Sequence, residues 1–355
     1  MSLIPATILT GFLGSGKTTL LKRVLSEAHG QKIAIIENEF GEENIDSDIL
    51  VSETKEQIIQ MSNGCICCTI REDLRGALRD LAEKKRKGEL DFDRVVIETT
   101  GLADPGPVAQ TFFMDDEIAE SYLLDSILTL VDAKHAAGQL NDRQEARRQV
   151  GFADQIFISK TDLVAKDEVD ALIHRLKHMN PRAPQKAVHF GEVALSEVFD
   201  LRGFNLNAKL DIDPDFLKDE EHDHAGHDHA DHEHGEHCDH PSHAHDHATH
   251  GHHHHHEDDV KSFVFKSDKA FDAAKLEDFL GAIVNIYGPR MLRYKGVLNM
   301  KGTDRKVIFQ GVHQLMGSDL GPAWGADEKR TNKMVFIGID LPKDIFLQGM
   351  EQCLV

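Results

Sequence analysis

Apolar residues in the first two hundred positions come in short, nearly unbroken runs. Those at 6–10, 32–37, 94–98, 127–132 and 155–159 are rich in β-branched residues and are read as strands. Helical patterns begin between them, near Lys17, Glu72, Asp104, Asn141 and Lys166. Strands that do not alternate need cover on both faces, and a parallel sheet between helix layers supplies it. The pattern predicts an α/β domain. Beyond residue 261 the runs at 262–266, 291–298, 306–315 and 333–339 read as strands and 273–286 as an amphipathic helix. That predicts a small α+β unit.

Between Lys218 and Lys261 both periodicities vanish. The stretch has no lysine or arginine, and most of the chain's 23 histidines crowd into it among Asp and Glu. With almost nothing to bury it cannot offset its own ordering entropy, so a disordered insert is expected. The resulting partition is a nucleotide-type domain over 1–205, a linker over 206–260 whose His/Asp-rich core is 219–259, and a C-terminal domain over 261–355.

At 355 residues the chain is long enough for two domains, and 40% hydrophobic composition supports real cores. A net charge of -21 argues against nucleic acid or an anionic membrane surface as partner. No apolar run approaches the ~18 residues of a membrane span. The start, Met1-Ser2-Leu3-Ile4-Pro5, lacks the layout of a secretory signal. The 5 cysteines are too few for a disulfide framework, so a cytoplasmic location is expected.

Gly11-Phe12-Leu13-Gly14-Ser15-Gly16-Lys17-Thr18 satisfies G-x-x-x-x-G-K-[ST], with a strand pattern before it and a helix pattern after it. Its glycines let backbone N–H groups turn in around phosphates at a helix N-terminus. Lys17 should reach the β- and γ-phosphates and the Thr18 hydroxyl should coordinate Mg²⁺. Gly11, Gly14, Ser15, Gly16, Lys17, Thr18 and Thr19 are therefore candidate nucleotide contacts. The strand Val95-Val96-Ile97 ends in Glu98, with Gly101 three residues on. Glu98 would lie beside Mg²⁺ or the attacking water, and Gly101 would let its loop approach the γ-phosphate. Lys17, Thr18 and Glu98 are the catalytic candidates. Ser159-Lys160-Thr161-Asp162 resembles N-K-x-D with Ser for Asn. Asp162 would accept from N1–H and the 2-amino group of guanine, Lys160 would lay its stem along the base, and GTP is the expected nucleotide. Ser159 lacks the amide that would brace this loop, which would soften guanine selectivity.

Asn63-Gly64-Cys65-Ile66-Cys67-Cys68 places three thiols together after a turn signal. Three thiolates and one further ligand suit tetrahedral Zn²⁺. A redox pair and buried apolar thiols are the alternatives; the first lacks a thioredoxin-like setting and the second is awkward for crowded thiols beside Asn and Gly. Glu37 and Glu42 are candidates for the remaining ligand. In the insert, His222, His224, His227, His229, His232, His234, His252, His253, His254, His255 and His256 offer overlapping imidazole chelates for low-affinity Zn²⁺.

Together, residues 11–19, 37–42, 64–68, 98–101 and 159–162 make the chain resemble the CobW family of GTPase metallochaperones, especially its YjiA-like branch, over nearly its whole length. The resemblance implies slow GTP hydrolysis, Zn²⁺ or another divalent transition metal at the Cys motif, and transfer of metal to a client metalloprotein. It also implies that Ser is tolerated at the first position of the base loop. Two other readings stay open: a metal buffer with a vestigial GTPase site, and a cobalt or nickel insertion factor for enzyme maturation. A nucleotide- or metal-dependent homodimer is compatible with each.

Overall fold

The structure is a computed structural model that describes residues 3–26, 32–37, 58–60, 69–201, 203 and 258–355. These residues all belong to one compact unit. The disorder expected of residues 219–259 falls outside them as far as residue 257; the last two, Asp258 and Asp259, are described and pair with Arg175 and Arg147, contrary to that expectation.

The parallel strands form as the unbroken apolar runs require. Along the chain come β1 (Ile4–Gly11), α1 (Lys17–Ser26), β2 (Ile33–Glu37), β3 (Ile58–Gln60), α2 (Thr69–Lys87) and β4 (Arg94–Glu98). They are followed by α3 (Pro105–Met114), α4 (Asp116–Ser121), β5 (Tyr122–Asp132), α5 (Ala136–Asp142), α6 (Gln144–Phe152), β6 (Gln155–Ser159), α7 (Lys166–Met179) and β7 (Gln185–Val188). The strands make one sheet in the order β3-β2-β4-β1-β5-β6-β7. Every neighbouring pair is parallel. On one face, Leu20, Leu21, Val24 and Leu25 of α1 pack on Leu9, Ile33, Ile35, Val96, Leu128 and Leu130. The central strand β1 thus delivers the glycine-rich turn to the C-terminal edge of the sheet, where strand order reverses and ligands bind in such folds.

The second sheet comprises β8 (Val260–Ser267), β9 (Met291–Asn299), β10 (Arg305–Val312), β11 (Leu315–Ala323) and β12 (Asn332–Ile339). Its order is β11-β10-β9-β12-β8, antiparallel throughout. Helices α8 (Ala273–Tyr287) and α9 (Lys343–Gln352) cover one face, burying Leu276, Leu280, Ile283, Phe346 and Met350 against Phe263, Phe309 and Phe336. The opposite face meets α6, where a Cβ on Gly151 would sit 2.6 Å from Leu292 Cδ1 and 3.2 Å from Val260 Cγ1. Only a glycine lets the second sheet lie this close to the helix.

Several elements depart from the sequence reading. The predicted strand over 306–315 is two strands, β10 and β11, because the chain reverses at His313-Gln314 with His313 at φ 51. No Gly or Asn marks that turn. β11 escapes detection because it alternates in exposure and contains Gly317, Ser318, Asp319, Gly321 and Pro322. Edge strand β7, with only Val188 buried, carries too short an apolar signal. β5 begins at Tyr122, five residues earlier than its β-branched run, because Leu123 and Leu124 pair with β1.

Charged clasps hold the two sheets together. Arg293 Nη2 of β9 is 2.6 Å from Asp154 Oδ1 and donates to Gly203 O at 2.8 Å. Arg175 grips Asp258 through two hydrogen bonds, at 2.9 and 2.6 Å. Asp154 also accepts from Ile127 N of β5, so one carboxylate ties β9 to the parallel sheet. Truncating one partner of a buried pair strands the other charge. Arg293→Leu is therefore expected to lower stability by about 3 kcal/mol, read from the denaturant midpoint at unchanged slope.

Candidate nucleotide site

At the end of β1 the chain turns through Gly11, Gly14 and Gly16 at φ 146, 72 and 95. A Cβ on Gly11 would lie 2.3 Å from Leu130 O, because Phe12 N binds that carbonyl at 2.9 Å. Lys17 opens α1 with only 8% of its surface exposed, and its Nζ donates to Gly11 O (3.1 Å) and Phe12 O (3.2 Å). Burial lowers the pKa of this ammonium, while the charge of Glu98 pulls it back up. Ser15 Oγ is buried without a hydrogen-bond partner among the described residues. A buried ammonium and an unsatisfied hydroxyl in a loop of left-handed glycines suit a polyphosphate. Gly14 and Thr19 lie on the exposed side of this turn.

Glu98, at the end of β4, accepts from Thr18 Oγ1 at 2.9 Å. A hydroxyl and a carboxylate in contact beside the phosphate loop are the hard oxygen ligands Mg²⁺ prefers, so these two residues would hold it. Gly101 lies against the phosphate loop itself: a Cβ there would be 2.6 Å from Leu13 Cα. Its loop is held from below by Gln149, whose Nε2 donates to Gly101 O (3.2 Å) and Ala103 O (2.9 Å). Nothing in the local sequence singles out Gln149, which sits in a polar stretch of α6.

The base loop is tethered to the same turn. Ser159 Oγ donates to Ser15 O at 2.7 Å, so the hydroxyl itself braces the loop that an amide was expected to hold. Lys160, at φ 58, donates to Gly14 O and to Asp132 Oδ2, both at 2.7 Å. Burial works against a charge on Asp132, yet hydrogen bonds from Lys160 and His135 outweigh it and hold this carboxyl below its ordinary range. Asp162 points to an exposed rim with His189 Nδ1 at 3.5 Å. Beside it Phe190 is 77% exposed at φ 46, and Gly191 sits so close to α1 that a Cβ would lie 3.0 Å from Leu20 Cα. The turn 189–191 follows a short edge strand, which is why the sequence pattern missed it.

Cys65, Cys67, Cys68, Glu42 and the insert histidines lie outside the described residues. Glu37 closes β2, and its backbone is in register with Glu98 on one side and Gln60 on the other. No group of three or more His, Cys, Asp or Glu arranged for a metal occurs among the described residues.

A parallel sheet whose central strand runs into a glycine-rich turn, a buried lysine and a Thr–Glu pair defines a P-loop nucleoside triphosphatase. Residues 5–186 match the nucleotide-binding domain of CobW, HypB and UreG, and residues 260–354 match the C-terminal domain of the cobalamin synthesis protein CobW. The chain belongs to the CobW/HypB/UreG family. It is 40% identical to the zinc chaperone YjiA of Escherichia coli over 347 residues, 97% of this chain and 96% of that one. Over 208 residues, 57% of this chain and 50% of the relative, it is 36% identical to the zinc-regulated GTPase metalloprotein activator 1 of Schizosaccharomyces pombe. The crystal structure of Zn(II)-bound YjiA GTPase from E. coli superposes with a TM-score of 0.75 at 35% identity, covering 100% of both chains.

Asp132→Asn should release Lys160 from its charged partner and raise the Kd for nucleotide about tenfold, the worth of one charge-assisted hydrogen bond. Titration calorimetry measures it. The folded carboxyl titrates below its ordinary value of 3.8, so this contribution stands at neutral pH and is lost as pH falls through that lower value.

Proposed function

We propose that the protein is a zinc-binding GTPase in which GTP binding and hydrolysis govern transfer of a divalent transition metal, Zn²⁺ first, to client proteins. The observation that carries this reading is the order of the strand ends. β3, β2, β4 and β1 lie side by side and parallel, so residues following Gln60, Glu37, Glu98 and Gly11 all leave at one edge of the sheet. The cysteines fall between Gln60 and Thr69, the last residue of β3 and the first of α2. β3 stands three strand spacings from β1, roughly 14 Å. A metal held near that end would communicate with phosphate through the intervening loops rather than by direct contact. Glu37, at the end of β2, one of the two strands between them, and Glu42 five residues later in sequence are the candidates to bridge the two.

In this reading Lys17 neutralises charge on the β- and γ-phosphates, and backbone N–H groups of the glycine turn hold them in line. Thr18, with Glu98 alongside, would hold Mg²⁺, which would supply further neutralisation of developing charge. Gly101 carries its loop against the phosphate turn, and Asp162 with Lys160 selects guanine. The names of the relatives support zinc as cargo and GTP as substrate. The intact contacts of Lys17 and Thr18 speak against a vestigial site that would leave the protein a passive buffer. Three thiolates favour Zn²⁺ over Co²⁺ or Ni²⁺ by ligand softness. The insert would gather ions loosely for the tight site. No helix among the described residues is long and apolar enough to cross a membrane.

Lys17→Ala is expected to abolish GTP hydrolysis. In protein lacking residues 219–257, which keeps the ion pairs of Asp258 and Asp259 with Arg175 and Arg147, stoichiometric Zn²⁺ should change GTP affinity or turnover, and replacing Cys65, Cys67 and Cys68 together by Ser should remove that effect. Identical kinetics with and without zinc would rule out a metal-delivery switch. Equilibrium dialysis of the full chain should show Zn²⁺ capacity falling steeply below about pH 6, as protons displace metal from imidazole.

A further inference from the structure

We propose that Gln149 and His313 are positioning residues for GTP hydrolysis, joined by α6 into one relay between the loop after Glu98 and the C-terminal domain. The inference rests on the GTPase reading above. It starts from the Gln149 side chain. Gln149 is fully buried, and its carboxamide gives both recorded hydrogen bonds to main-chain carbonyls of one loop, Gly101 O and Ala103 O. Its Oε1 has no partner among the described residues, so the group acts here as a donor only. Its own backbone carbonyl accepts from Thr129 Oγ1 at 2.9 Å, fixing this point of the helix to β5.

The residues flanking Gln149 reach in other directions. Arg148 forms an ion pair with Asp104 Oδ2. Asp104 in turn caps α3 by accepting from Gly106 N at 2.9 Å. Arg147 is paired with Asp259, immediately before β8. Gly151 receives Leu292 of β9, and Phe152 packs edge-on to His313 with ring centroids 5.1 Å apart. His313 is the turn residue between β10 and β11, held at φ 51 with Nδ1 3.3 Å from Gly288 O. Its ring lies over the first turn of α3: a Cβ on Gly106 would be 2.5 Å from His313 Nε2 and 2.8 Å from Phe152 Cζ.

The C-terminal domain therefore places a ring where α3 begins, and α6 grips the loop leading into α3. Loops after the acidic strand end rearrange with the γ-phosphate in P-loop GTPases. Here such a movement would leave two carbonyls without their donor and alter the close contact between Gly106 and the His313 ring. Packed contacts of this kind have few discrete arrangements rather than a continuous range. The loop and the β10–β11 turn consequently change state together.

Steady-state GTP hydrolysis and GDP affinity of the full chain test this with Gln149→Met, which keeps the volume without the donors, and His313→Asn, which tolerates positive φ. Gln149→Met should lower kcat about tenfold, His313→Asn about threefold, and both should leave GDP Kd within about twofold. The double variant should be no slower than Gln149→Met alone. Additive losses, or unchanged kcat with only a lower melting temperature, would overturn the relay. Where a variant fails to fold, amide exchange in the wild type decides. Exchange at Val312–Leu315 should slow with a non-hydrolysable GTP analogue relative to GDP, and equal exchange in both states overturns the proposal. A wild type that does not hydrolyse GTP would remove the GTPase reading itself; normal turnover insensitive to both substitutions removes only this inference.

Discussion

A buried ammonium that donates to main-chain carbonyls is the constraint around which the sheet's C-terminal edge is organised. Lys17 opens α1 directly after the turn that ends the central strand, bonded to Gly11 O and Phe12 O, with Glu98 supplying the opposite charge. Keeping that charge folded inside requires the turn to hold its shape. Gly11 must pass Leu130, Gly101 must pass Leu13, and the carbonyls of Gly14 and Ser15 must be met from outside. Lys160 and Ser159 meet them. The base loop is thus part of the same hydrogen-bonded body as the phosphate loop, and Asp132 is the buried counter-charge that makes Lys160 stay.

The second sheet enters this arrangement through α6. That helix lies between the parallel sheet and the C-terminal domain, and consecutive side chains serve different neighbours: Arg147 the start of β8, Arg148 the cap of α3, Gln149 the loop beside the phosphates. Gly151 removes the side chain that would hold the sheets apart. Because Arg293, Asp154 and Ile127 form a further chain of contacts from β9 to β5, the C-terminal domain is bound through polar groups with defined geometry as well as apolar surface. Polar clasps of this kind hold one relative arrangement where apolar contact alone would tolerate sliding.

The family resemblance read from 11–19, 37–42, 64–68, 98–101 and 159–162 is borne out by the two matching domains and by relatives along the chain. Those motifs are legible because each combines rare residue types at fixed spacing. Ser159 shows the limit of that reading. A missing amide looked like a loosened loop, whereas the hydroxyl reaches Ser15 O across the turn.

Local order alone determined the five longest parallel strands, the phosphate turn and the acidic strand end, because unbroken apolar runs and left-handed glycines have few other uses. The turn at His313, the weak edge strands β3, β7 and β11, and the contacts of Gln149 and Asp132 were decided by tertiary structure. Each depends on a neighbour distant in sequence: a carbonyl at Gly101, an ammonium at Lys160, a glycine at Gly106. A glutamine in a helix or a histidine between a valine and a glutamine carries no local mark of such a partner, since the energy that places it comes from contacts made only when the chain closes on itself.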